Sequence, residues 1–358
     1  MKFDFIIIGQ GLAGTLLAHD LIEANKTIAI IDVHITSAAS PVAAGLINPV
    51  SMKRCIPSYN SYLYYPRAIS RYRQIEKKID SSFLKEKPIL RVFSNDKVKN
   101  DWQTKYSNTN MDYYISRFYS KNKFSFLNNP HGSAEIHLSS QIDINKFLQS
   151  SRNFFKKNTV FLEERFDFSL FDVDQAIYKK LRSDNFIFCE GFRVKDNPYF
   201  NWLPIKPNKG ELMTIRIPTI KCFDKVISQG VYIVPLDNYN YLVGSTYNHK
   251  DLTDGPTAQG KASLKDKLSD ILSVGYEVVS CVSGIRPTVK DRKPLVGLHP
   301  IHSKIAVFNG LGTRGALQGP YLSDNFSKFL TTQSKNTQNA ENQRITSFFD
   351  GKKSQFNS

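Results

Sequence analysis

Lys2-Phe3-Asp4-Phe5-Ile6-Ile7-Ile8-Gly9-Gln10-Gly11-Leu12-Ala13-Gly14 is the stretch that decides the fold. A nearly unbroken apolar, β-branched run that ends on a glycine is the pattern of a strand buried on both faces of a parallel sheet. Beyond it, Leu12, Leu16, Leu17, Leu21 and Ile22 recur at helical spacing until Asn25-Lys26, and Thr27 to Ile31 forms a second buried strand that ends at Asp32. Strand, helix and strand within about thirty residues make the dinucleotide-binding unit. In such a unit Gly9 allows the tight turn, Gly11 lets the backbone approach a pyrophosphate, and Gly14 lets the helix pack on the strand. The N–H groups at the helix start, around Leu12 and Ala13, face the phosphates, and Asp32 bonds the adenosine ribose. The fold class expected is α/β, with a Rossmann-like domain at its centre.

The same glycines argue against a leader peptide, since they interrupt the apolar core that Phe3 to Ile8 would otherwise supply. With no run of about 18 apolar residues, no membrane span is expected. The expected compartment is the cytoplasm. At 358 residues the chain exceeds one ordinary domain. Its net charge of +16 raises a polyanionic partner, but the basic pairs Lys53-Arg54, Lys77-Lys78, Lys156-Lys157 and Lys179-Lys180 are scattered, as on a solvated surface. Cys55, Cys189, Cys222 and Cys281 lie far apart, without the spacing of a zinc site or a redox dithiol, so no metal is expected.

Further along, Tyr59 to Ile79 reads as an amphipathic helix, and Ile89-Phe93 and Tyr113-Phe118 as strands in an antiparallel region spanning 81–134. Ile142 to Phe155 is helical and Phe186 to Cys189 is a returning buried strand before Glu190-Gly191. Glu211 to Ile217, Gly230 to Pro235 and Tyr241 to Ser245 read as strands, the last two a hairpin across Asp237-Asn238. A helix over Lys261 to Leu272, strands at Val278 to Ser283 and Ile305 to Phe308, and a helix over Ala316 to Leu330 complete the pattern. The division expected is a discontinuous cofactor domain of 1–80, 135–205 and 282–334, a mainly antiparallel substrate domain of 81–134 and 206–281, and a polar C-terminal tail, 335–358, with an apolar patch at Ile345-Phe349.

The small residues of Ala39-Ser40-Pro41-Val42-Ala43-Ala44-Gly45-Leu46 permit close backbone approach to a bulky cofactor. This segment resembles the flavin-contacting loop of the D-amino-acid oxidase superfamily, in particular its glycine oxidase-like and sarcosine oxidase-like members. Gly230-Val231-Tyr232-Ile233-Val234-Pro235, Gly284-Ile285-Arg286-Pro287-Thr288 and Gly310-Leu311-Gly312-Thr313-Arg314-Gly315-Ala316 are similar to three further segments of that family. The resemblance covers about 1–80 and 205–330. It implies FAD, held by Ser40, Ala43, Ala44, Gly45, Gly191, Gly310, Gly312, Thr313 and Gly315 besides the first loop. Sarcosine oxidases bond flavin through a cysteine beside the Gly-x-Arg-Pro segment, where this chain has Ile285 and Arg286, so the FAD is expected to be noncovalent.

For activity the resemblance implies oxidation of a C–N bond in a small amine or amino acid, the α-hydrogen passing as hydride to flavin N5 and the imine then hydrolysing. Oxygen or another acceptor takes the electrons. Arg286 has the planar charged fork that suits a substrate carboxylate. Arg314, in a glycine-rich turn, and the hydroxyl of Tyr232 are the other candidate active-site groups. Ala44-Gly45-Leu46-Ile47-Asn48-Pro49-Val50 is also similar to the oxidase half of the enzyme that builds methylaminomethyl uridine in tRNA. That likeness gives an alternative, oxidation of a carboxymethylaminomethyl group on tRNA.

Overall fold

The computed structural model describes residues 1–33, 35, 37–220, 223–332 and 343–350. Along the chain come β1 (Lys2–Ile8), α1 (Leu12–Glu23), β2 (Ile28–Ile31), α2 (Ala39–Val42) and α3 (Ser61–Ile79). They are followed by β3 (Ile89–Val92), α4 (Asp96–Asn108), β4 (Ile115–Tyr119), β5 (Ser133–Ile136), α5 (Ile144–Asn158), β6 (Val160–Leu162) and β7 (Leu181–Phe188). Then come β8 (Ile205–Arg216), β9 (Val226–Gln229), β10 (Val231–Pro235), β11 (Asn240–Gly244) and α6 (Ala258–Ile271). The last are β12 (Glu277–Val289), β13 (Leu295–Leu298), β14 (Ile305–Asn309) and α7 (Gly315–Thr331). Shorter strands are named by their residues.

The opening strand lies at the centre of the first sheet. Its parallel strands run in the order β6, β2, β1, β7, β14, with β13 antiparallel outside β14. Ile7, Ile30, Ile187 and Phe308 pack on one face with Leu17 and Leu21 of α1 and Phe326 of α7. Ile6, Ile31, Phe186 and Val307 pack on the other with Phe166, Tyr178 and Phe200. Both faces are covered, which is why β1 reads as an uninterrupted apolar run rather than an alternation.

The second sheet is mainly antiparallel, in the order β12, β8, β11, β10, β9, β3, β5, β4. Its one parallel pairing among these is β3 with β9. Alternate residues pack beneath α6, where Met213, Ile233 and Val243 meet Leu264 and Leu268. The opposite face carries Asn208, Gly210, Leu212, Tyr232, Gly244 and Arg286, placed together by the pairings Asn208 with Arg286, Leu212 with Gly244 and Tyr232 with Gly244. A side-chain period of two thus separates a core face from a site face.

Three expectations change. Residues 81–134 contain α4 as well as strands. It is capped by Asn95, whose side chain accepts from the Val98 N–H at 2.9 Å, and packs through Val98, Trp102 and Tyr106, a row of three among polar and charged residues of which Trp102 alone is fully buried. The dividing line expected at 282 falls inside β12, all of which pairs with β8. In the tail, 343–350 are helical: Ile345 is buried in the first core, Arg344 binds Asp291, and Phe349 meets Trp202. The other tail residues, 335–342 and 351–358, lie outside the described residues, as does Cys222. Among the described residues no helix is long and apolar enough to cross a membrane.

Candidate active site

A cavity of about 1160 Å³ runs from the first glycine loop to the site face of the second sheet. That exceeds the roughly 300–1,000 Å³ of an ordinary small-molecule pocket and leaves room for an elongated cofactor with a substrate beside it. At its first end, Gly9 has φ +97°, and a Cβ on Gly14 would lie 1.9 Å from the Gly9 carbonyl oxygen, so the loop tolerates glycine alone at both places. Gly14 faces the packing rather than the cavity, while Gly9, Gln10, Gly11, Leu12 and Ala13 line it. Asp32 accepts the Gln10 N–H at 2.7 Å on one carboxylate oxygen and the Arg152 guanidinium on the other. Ser40 accepts the Leu12 N–H at 3.1 Å, which sets a hydroxyl against the start of α1.

Ala43, Ala44 and Gly45 continue the wall. Gly45, at φ +68°, is held by its carbonyl to the Ile142 N–H at 2.9 Å, and a Cβ there would strike the Ile142 carbonyl oxygen at 1.8 Å. Gly191, at φ +59°, has nothing within 4 Å of where a Cβ would point, and its carbonyl accepts from Asn309 at 2.8 Å. Gly312, Thr313 and Gly315 line the cavity from the α7 side, whereas Gly310 is packed against Val289 and Leu295. A Cβ on Gly315 would lie 2.9 Å from Leu12, so this glycine also lets α7 close on α1. Open glycine backbone at Gly191, the turn at 9–13 with Ser40 at the start of α1, and an acidic strand end form the cradle that a flavin dinucleotide fits.

At the far end the Arg286 guanidinium lies directly over Gly210, where a Cβ would be 1.7 Å from its Nη2. It donates to Asn208 Oδ1 at 2.8 Å and Ser245 Oγ at 2.6 Å, and sits 4.9 Å from the Tyr247 ring centre. Burial works against its charge, yet no carboxylate pairs with it among the described residues. Gly284 places this strand against α2, since a Cβ there would clash with Val42 at 2.5 Å, and the Ile285 N–H donates to the Ser37 carbonyl at 2.9 Å. The two sheets are therefore fastened together at the site itself.

The Tyr232 hydroxyl accepts from Asn48 Nδ2 at 3.3 Å, and burial pushes its phenol above the usual value. The charges of Arg314 and Arg91 both act against that rise, as does the bond from Asn48. Arg314 does not line the cavity: it sits at the N-cap position of α7 with no side-chain capping bond, is solvent-exposed, and shares with Arg286 the neighbourhood of Tyr247. Sequence reading missed Glu190, Arg152, Arg91 and Asn48, all but Asn48 lining the cavity. The register of β3 with β9 is the signal that places Arg91, and it is not available from one strand alone. Of the histidines, His299 is packed among Phe200, Trp202 and Tyr199, and burial lowers it to about 4, which fits a structural role.

A family model described as FAD dependent oxidoreductase matches residues 4–326. A glycine oxidase of Pseudomonas putida is 29% identical over 131 residues, which is 36% of this chain and 36% of that protein. The chain thus covers little more than a third of that relative's length. The crystal structure of glycine oxidase from Geobacillus kaustophilus superposes with a TM-score of 0.79 at 18% identity, over 94% of this chain and 96% of that one. L-α-glycerophosphate oxidase from Mycoplasma pneumoniae, solved with FAD bound, gives a TM-score of 0.74 at 14% identity, over 93% and 96% of the two chains. At these identities the structural likeness carries the fold.

Proposed function

This chain belongs to the family of FAD-dependent oxidoreductases, and from that premise we propose that it oxidises the C–N bond of a small amine or amino acid. The observation that supports this most is Arg286, a permanently charged fork set at the far end of the cavity and braced by neutral acceptors alone. Those bonds leave part of its five-donor fork uncommitted, and a substrate carboxylate is the group that completes it. Bound FAD supplies the two-electron acceptor. The protein's share is positioning: Arg286 fixes the acid, the Tyr232 hydroxyl, held from behind by Asn48, supplies a polar wall, and the start of α7 presents its positive end toward the cavity. A neutral amine then needs no strong base, because its α-hydrogen leaves with the electron pair and water hydrolyses the imine.

Anaerobic addition of glycine, sarcosine, proline or D-alanine to the purified yellow protein is expected to bleach the flavin band with at least one of them. Arg286→Gln is expected to raise the amine concentration needed by about 100-fold, the loss of a charge-assisted fork worth around 3 kcal/mol. Bleaching by none of these, with bleaching by carboxymethylaminomethyl-modified tRNA instead, would overturn the proposal. The relatives described above are named for small molecules and lend the tRNA reading no support.

A further inference from the structure

The amine reading uses one guanidinium for one carboxylate, and the cavity holds another that this leaves without work. Arg91 lies on β3 in register with Ser228, Ser228 is in register with Tyr232, and Tyr232 with Gly244, so all four occupy the site face and line the same cavity. Arg91 Nη1 donates to the Ser228 carbonyl at 3.2 Å. Its Nε is buried with no hydrogen-bond partner, and no carboxylate pairs with it among the described residues. An arginine does not discharge itself by losing a proton, so a half-buried guanidinium held only by a backbone carbonyl, with a buried Nε left unpartnered, is completed by an anion.

The surroundings repeat the message. Lys53, Arg54, Lys105 and Trp102 line the same cavity, and the Cys55 thiol lies in the field of both Lys105 and Arg91. Lys105 donates to the Arg54 carbonyl, which ties α4 to the loop after Val50. Asp101 of α4 also lines the cavity and is solvent-exposed. The Arg286 guanidinium lies over β8, while that of Arg91 reaches β9, three strands away in the sheet order. Three inter-strand spacings are on the order of 14 Å. Hydrogen-bond lengths at each end leave roughly 8 Å between the two bound acids, about seven bonds of extended chain.

We propose that the substrate is an extended amine with an anionic group at each end, one acid held by Arg286 and the second, a carboxylate or phosphate, by Arg91. This rests on the amine reading for what is oxidised, but the second anion site can be tested without turnover. The holoenzyme is titrated with non-oxidisable linear dicarboxylates from succinate to suberate, and with monocarboxylates of equal length, while the shift of the flavin visible band is followed. The longer dicarboxylates are expected to bind at least about 10-fold tighter than their monocarboxylate counterparts, the increment of one charge-assisted bond pair. In Arg91→Gln that preference is expected to fall below about 3-fold, with Arg91→Lys intermediate as the folding control. Equal affinity for the two series, or a preference that Arg91→Gln and Arg91→Lys both retain in full, would overturn the second site. A preference that depends on Arg91 while no amine bleaches the flavin would uphold the site and sink the amine reading. Bleaching by sarcosine with no dicarboxylate preference would do the reverse.

Discussion

Glu190 shows how one residue beside the cofactor loop couples protonation to folding. It faces the cavity next to Gly191, accepts from Asn197 Nδ2 at 2.7 Å, and burial raises its carboxyl from 4.5 to about 7. A carboxyl raised in the folded state contributes stability that is complete below pH 4.5 and is lost as pH climbs through about 7. Glu190→Gln removes that loss. The variant is therefore expected to gain on the parent apoprotein between pH 4.5 and 7 and to hold its advantage above, by at most about 3 kcal/mol. Denaturant melts at pH 5, 6, 7 and 8 would show it, and parallel curves for the two proteins would refute the assignment. Glycines separate in the same way. Gly14→Ala forces a Cβ to within 1.9 Å of a carbonyl oxygen and is expected to prevent folding, whereas Gly191→Ala meets open space and costs only the left-handed backbone, about 1–2 kcal/mol. Its larger effect should be on FAD uptake, read from the absorbance of the purified protein. Both glycines stand in the sequence as obvious punctuation, yet the chain alone does not say which one meets backbone and which meets the cavity.

Among the elements, β1, α1 and β2 were readable because each carries one clean signal: apolar continuity, a helical period and a terminal acid. The helix α4 was not, because its apolar row is only Val98, Trp102 and Tyr106, set among charged and polar residues, and Trp102 alone is fully buried. Its place against β5 and the loop at Val50 is decided by partners distant in sequence. Strand β12 was half legible for a related reason: its outer residues Val278, Val279 and Val282 are exposed, while its inner half, 283–289, mixes Gly284, Arg286 and Pro287 with the buried Ile285 and Val289 and has no clean alternation. The helical segment 343–350 is the other surprise, since only Ile345, Phe348 and Phe349 distinguish it from its polar surroundings. Ile345 is fully buried beneath the first sheet. Ile345→Ala is accordingly expected to cost about 2–4 kcal/mol and to lower the melting temperature by roughly 5–10 °C. A change below about 1 °C would mean that this segment leaves its groove in solution.

For the molecule as a whole, the site was legible in its parts and not in its assembly. The first loop, the Ala43-Gly45 turn and Arg286 were each visible in the sequence, but the fastening of Ile285 to Ser37 that brings them into one cavity depends on a contact between residues 248 positions apart. The consequence is thermodynamic. Walls from both sheets line one cavity, so a cofactor bound there stabilises both against unfolding together, by about 2.7 kcal/mol at a free concentration 100 times Kd. Added FAD is expected to raise a single melting transition progressively rather than to split it into two. The manner of attachment is testable on the same sample. Among the described residues Cys281 does not line the cavity, and the two cysteines that do, Cys55 and Cys189, are poor nucleophiles because burial pushes the Cys55 thiol up to about 11 and the Cys189 thiol higher still. Acid precipitation is therefore expected to leave a colourless pellet and all of the yellow in the supernatant. A pellet that keeps its colour after repeated washing would show a covalent bond, and Cys55→Ser and Cys189→Ser would then identify which of the two thiols had formed it.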